Sequence, residues 1–126
     1  MRAALALLLA LCLLSPARAD DWSGADTARQ AAFLGLLAID CNQSRAIAQH
    51  PDHFREADAL ARVFQGSKPS VGRINMTCLG GAVAHTAISA LLPRPWRESW
   101  QWASIGIEAA VVRGNHMISM RASFAF

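Results

Sequence analysis

The stretch INMTCLGGAVAHTAISALLP, residues 74–93, runs for twenty residues without one Asp, Glu, Lys or Arg. As a helix rising 1.5 Å per residue it would reach about 30 Å, the thickness of a bilayer's hydrocarbon core. The pattern predicts a long helix from about Ser70 to Leu92. Pro69 precedes it, and the corner Pro93-Arg94-Pro95-Trp96 closes it, because a proline cannot continue the hydrogen-bond ladder.

Two more long helices are expected around this one. The first runs from Asp26 to about Gln49, with AAFLGLLAI (residues 31–39) at its apolar centre. Ser23, three residues before Asp26, forms a capping-box pattern, and Pro51 stops the helix. The third runs from about Trp96 to Arg113, where Gly114-Asn115 should end it. Between the first two lies the most polar stretch, residues 51–69. Asp52 can cap a short helix there, with Phe54, Ala57, Leu60, Ala61 and Phe64 as an apolar stripe, and Gly66 as its stop. The tail HMISMRASFAF alternates, with Ile118, Met120, Ala122, Phe124 and Phe126 on one side, the period of an extended segment. The expected class is all-α: three long membrane-embedded helices, one short amphipathic loop helix and a short C-terminal extended segment.

Residues 1–19, MRAALALLLALCLLSPARA, read as a secretory signal peptide. Arg2 supplies the positive start, Ala3–Leu14 the apolar core, and Ala17-Arg18-Ala19 the small-x-small cleavage pattern. Residues 20–126 then form a single helical membrane domain with an exported N-terminus, placed in a bacterial inner membrane. The 126-residue chain carries 12 Lys+Arg against 9 Asp+Glu, a formal net charge of +3. Without Arg2 and Arg18 the balance is 10 against 9, so no polyanion or nucleic-acid partner is implied. With 53% hydrophobic and only 17% charged residues, the composition also excludes a disordered chain.

Loop charge bears on orientation. Arg45, Arg55, Arg62, Lys68, Arg73, Arg113 and Arg121 fall on the side of the 51–69 loop, against Arg29, Arg94 and Arg97 on the other. That bias places the loop in the cytoplasm. Trp96, Trp100 and Trp102 cluster at one end of the third helix, as an interfacial aromatic belt would. Asp40 and Glu108 work against the membrane reading, since a carboxylate at a span centre costs roughly 2.5–3.5 kcal/mol on insertion scales. A bundle that shields them would relieve that cost.

Polar residues inside the helices fall on shared faces. Asn75, Cys78, Ala82, His85 and Ser89 are spaced at 3 and 4, as are Gln101, Ser104 and Glu108. Asp40, His85 and Glu108 are therefore expected to meet in an intramembrane polar core, either joining helices or carrying a proton or ion. Gln43, Arg45, Asn75 and Gln101 would support it, with Arg45 pairing with Glu56. Gly80, Gly81, Ala84, Gly106, Ala109 and Ala110 would let backbones approach closely. Cys12 falls in the leader. Cys41 and Cys78 read as small apolar residues in helix interiors; a disulfide between them requires Cα atoms within roughly 7 Å. His50 and His53, near Asp52, Glu56 and Asp58, read as a solvated loop. No phosphate loop, nucleophile elbow, zinc spacing or catalytic constellation is present, so no cofactor, metal or enzymatic role is expected.

Ile39-Asp40-Cys41-Asn42-Gln43-Ser44-Arg45, then Pro51-Asp52, Glu56 and Pro69-Ser70-Val71-Gly72-Arg73-Ile74-Asn75, resemble motifs of a group of small uncharacterised bacterial and phage-associated membrane proteins. Those carry Asp-x-x-Gln-(Thr/Ser)-Arg and Pro-Ser-x-Gly-Arg-(Val/Ile)-Asn. The likeness continues through His85, Leu92-Pro93, Trp96-Arg97, Gln101 and Ile107-Glu108-Ala109. It departs at Glu56-Ala57-Asp58-Ala59, where the group has Asn-Pro. It implies a helical membrane protein and no particular activity. The expected role is a non-enzymatic structural or accessory component of the inner membrane, with lipid, other membrane proteins or a second copy as partners. The alternatives are a soluble periplasmic helical binding module and a proton- or ion-handling membrane component.

Overall fold

A computed structural model describes residues 22–54 and 59–118. The proposed leader and the tail beyond residue 118 lie outside these residues, as does Glu56. Helix α1 spans Gly24–Gln49, α2 Ala59–Gln65, α3 Val71–Leu91 and α4 Arg94–Met117. The described residues contain no strand.

Local chemistry sets most of the boundaries. Ser23 caps α1: its hydroxyl accepts from the Asp26 amide at 3.1 Å, while the Asp26 carboxylate accepts from the Ser23 amide at 2.8 Å. Both orphan amides of the first turn are thereby satisfied, as the capping-box pattern predicts. Gly66 follows α2 with φ of 81°, a left-handed conformation that glycine adopts without a Cβ clash. Ser70 caps α3, accepting from the Arg73 amide at 3.3 Å.

Helix α4 departs from expectation at both ends. It starts at Arg94, because Pro95 stands in the first turn where a missing amide costs nothing. It also runs through Gly114-Asn115 to Met117. The sequence suggests a stop there, but Asn115 is held by tertiary contact: its side-chain amide donates to Asp40 Oδ1 at 2.6 Å. His116 and Met117, read as the start of an extended segment, are helical; residues 119–126 of that segment lie outside the described residues.

The three long helices form one bundle. Helix α1 is its spine, packing most extensively on α4 and next on α3, while α2 rests on α3. Helices α3 and α4 touch little, although only Leu92 and Pro93 separate them. They converge at that corner and part toward α2, leaving a groove between the first half of α3 and the second half of α4.

Candidate functional site

The inner face of α1 is a run of residues at spacings of 4 and 3: Asp26, Gln30, Phe33, Leu37, Asp40, Ser44 and Ile47. This is the period of a helix seam, but most of its positions are polar. The buried hydrophobic residues among those described are only Phe33, Ile47 and Ile74. The buried polar ones are Asp26, Gln30, Gln43, Ser44, Gln65, His85, Ser89, Arg97 and Gln101. Met76, Leu79, Val83, Trp96, Trp102 and Ile107 are exposed instead. Among the described residues the buried set is mostly polar, and many large apolar side chains are exposed.

The seam has three levels. At the α3–α4 corner, Asp26 is fully buried and faces two arginines. Arg29 Nη2 lies 2.6 Å from Oδ1 and Arg97 Nη1 3.3 Å from Oδ2. Arg97, only 1% exposed, also donates to the carbonyl oxygens of Ser89 and Leu92 at 2.8 and 3.1 Å. It thereby satisfies acceptors that the end of α3 leaves open. Gln101 accepts from Arg29 Nε at 2.9 Å and donates to the Asp26 carbonyl at 3.2 Å. The Trp22 ring lies 5.2 Å from the Arg97 guanidinium carbon, a cation–π contact. Ser23, Arg29 and Arg97 all hydrogen-bond the Asp26 carboxylate, so its burial is matched by partners.

At the middle level His85 is sandwiched between Phe33 and Trp100, with ring centroids 3.7 and 5.2 Å away. Its Nδ1 lies 3.1 Å from Gln30 Oε1. Gln30 Nε2 donates to the Thr86 hydroxyl at 3.0 Å, and that hydroxyl donates to the Ala82 carbonyl at 2.8 Å. The amide orientation is thus fixed, and His85 Nδ1 is the donor to it.

At the third level Asp40, half-buried, accepts from Asn115, and Gln43 donates to the Val112 carbonyl at 3.3 Å. Arg45 donates to Asn75 Oδ1 at 3.1 Å. Asp40, Glu108 and Asn115 all line the groove between α3 and α4, a cavity of about 1040 Å³.

The three residues expected to meet are therefore split. Asp40 and Glu108 share the groove; His85 sits with Gln30, about 15 Å further along α1, ten residues at 1.5 Å each. Similar spacing on each helix could not show how far the helices were offset along their axes. Gln101 belongs to the Asp26 level instead, while Arg45 and Asn75 do come together. Arg97, read from sequence as a loop cation, is the most deeply buried cation among the described residues. Trp96 and Trp102 are exposed as a belt requires, but Trp100 turns inward onto His85.

Two further expectations are corrected. Cys41 and Cys78 are not separate apolar fillers; they form a disulfide, with Cα atoms 6.2 Å apart. The face-sharing of Cys78 with His85 and Ser89 placed it toward α1, which was the available signal. Gly80, Gly81 and Gly106 mediate no close helix approach within the bundle, since a Cβ built on any of them meets nothing within 4 Å. Among the described residues, no three His, Cys, Asp or Glu side chains gather as a metal-ligand set.

Comparison with protein-family models, with characterised proteins and with solved structures finds no match. The site's chemistry therefore rests on its own geometry.

Proposed function

We propose that this chain is a small integral membrane protein: its long helices lie in the bilayer around a polar seam, and it acts as a non-enzymatic structural or accessory component. The observation that carries this reading is the reversed burial pattern. Helix α3 is long and apolar enough to cross a membrane, yet only 17% of its most apolar window is buried in the bundle. The core helix of a soluble protein has the opposite distribution, its apolar face inside. In lipid the apolar exterior needs no cover, and interhelical hydrogen bonds hold helices together. Among the described residues α3 is the one helix long and apolar enough to cross a membrane, where the sequence reading expected three; α1 and α4 carry too many polar groups to span alone. Their ionisable residues Asp26, Arg97 and Asp40 are turned inward and bonded, which is how such helices are tolerated in a bundle.

Charge distribution supports the orientation read from the loops. Arg29 and Arg97, two of the three cations on the outer side, are paired with Asp26, and Arg29 also with Glu98 at 3.7 Å. Arg45, Arg62, Lys68, Arg73 and Arg113 remain near the other end, the side expected to face the cytoplasm. The resemblance to small bacterial membrane proteins points the same way.

A second reading, an exported soluble helical binding module, is favoured by the disulfide, because such bonds persist in oxidising compartments. Fractionation separates the two. The membrane reading expects the protein in the membrane pellet after carbonate washing and released only by detergent. Release by osmotic shock or carbonate, as a monodisperse species in plain buffer, would overturn it.

A further inference from the structure

The groove between α3 and α4 is lined from Arg73 to Ala84 on α3 and from Ile118 back to Ile107 on α4. Each wall covers eleven residues at 1.5 Å each, about 16 Å of helix. One leaflet of a bilayer's hydrocarbon core, half of its thickness, is about 15 Å deep. The groove is thus as long as one leaflet, and it opens at the α2 end of the bundle. Its apolar side chains stand exposed: Phe64, Met76 and Ile107 are 63%, 69% and 66% accessible. Its two carboxylates, Asp40 and Glu108, both have partners, Asp40 in Asn115 at 2.6 Å.

Arg73 is the one cation on the lining among the described residues, and it stands at the open end, in the first turn of α3. Its guanidinium reaches over the α2–α3 turn, where a Cβ built on Gly66 would lie 3.9 Å from Nη1. The seven Lys and Arg residues that loop charge assigns to this end outnumber Asp52, Glu56 and Asp58. A basic end beside a span attracts anionic headgroups.

We propose that this groove holds one anionic phospholipid, with an acyl chain between α3 and α4 and the phosphate on Arg73 at the mouth. The inference rests on the membrane reading. Length and charge select this occupant. A zwitterionic lipid covers the walls equally well but brings its own cation to a basic end. A second copy, inserted in the same orientation, brings a second basic end against the first. A soluble anion leaves the apolar walls uncovered. The bound lipid joins α3 to α4 along the stretch where the two helices touch little, which suits a structural role.

The test uses the full chain, purified in mild detergent and stripped of lipid. It is mixed with dipalmitoyl phosphatidylglycerol, dipalmitoyl phosphatidylcholine or dihexanoyl phosphatidylglycerol, and native mass spectrometry counts bound lipid per chain. The expected result is one dipalmitoyl phosphatidylglycerol per chain, held at least about ten-fold more tightly than either control. Arg73→Gln should weaken its binding about ten-fold and leave phosphatidylcholine unaffected. Ala84→Phe shortens the groove at its deep end, so it should weaken the dipalmitoyl lipid and spare the dihexanoyl one. Ile107→Trp, on the facing wall, should do the same, and it serves if Ala84→Phe does not fold. Equal retention of the two dipalmitoyl lipids would overturn the proposal. So would phosphatidylglycerol binding that neither groove variant weakens, which is the mark of headgroup contact at the surface alone. A dimer mass lost in both groove variants would give the groove to a second copy, and tighter lipid binding after removal of residues 119–126 would give it to that segment; either result overturns the proposal. Carbonate washing is run on the same membranes. Absent lipid selectivity in membrane-retained protein sinks this inference alone, whereas loss of retention sinks the membrane reading and the inference with it.

Discussion

Asp26→Asn and Arg97→Met, which look like two halves of one ion pair, should not be equally costly. Asp26 has two cationic partners, at 2.6 and 3.3 Å, and it also closes the α1 capping box. Replacing it by Asn takes from Arg97, 1% exposed, the carboxylate that lies 3.3 Å from its Nη1. Removing one partner of a buried pair typically costs about 3–5 kcal/mol. Arg97→Met is different. Asp26 keeps Arg29 and the Ser23 amide and hydroxyl, and the Met side chain refills much of the space. What is lost is the cap on the Ser89 and Leu92 carbonyls, about 2 kcal/mol for hydrogen bonds from a charged donor. In the double variant both sides of the Asp26–Arg97 pair are gone, so it should be only about as destabilised as Asp26→Asn alone, a coupling of about 2 kcal/mol. The assay is SDS-driven unfolding in mixed micelles, followed by far-UV circular dichroism for all four proteins. Equal costs for the two single variants with strictly additive effects would refute the reasoning, because the asymmetry follows directly from the second arginine.

Reducing the disulfide, which closes a loop of sequence separation 37, should lower unfolding free energy by about 2–4 kcal/mol in the micelle assay. His85→Ala should open a void between Phe33 and Trp100, cost about 2 kcal/mol and shift tryptophan emission, because one stacking face of Trp100 is lost. Gly81→Ala meets no neighbour and should stabilise α3 by about 0.5–1 kcal/mol in the monomer; destabilisation, or loss of a cross-linkable dimer, would show that this face packs on a second copy.

Much of the fold was legible before any coordinates. The Ser23–Asp26 cap, the Gly66 stop, the charge-free run of α3 and the proline corner are local signals, decided by backbone hydrogen bonding within a turn or two. The site was legible only as faces. Spacing put Cys78, His85 and Ser89 on one side of α3, and Gln101 and Glu108 on one side of α4. The run from Asp26 to Ile47 at spacings of 4 and 3 is the further signal in α1: its polar periodicity, not the apolar centre at residues 31–39, marks the inner face.

By itself, then, the amino-acid sequence determined four helical segments, the Ser23 and Gly66 boundaries and the proline corner, and which side chains travel together on each helix. Only the tertiary structure decided that Arg97 sits against Asp26, that His85 lies with Gln30 rather than with Asp40 and Glu108, and that two distant cysteines join. The physical reason is that periodicity fixes rotation about a helix axis but not the offset of one helix along another. That offset is set by contacts between residues tens of positions apart, such as Gln101 with the Asp26 carbonyl and Asn115 with Asp40.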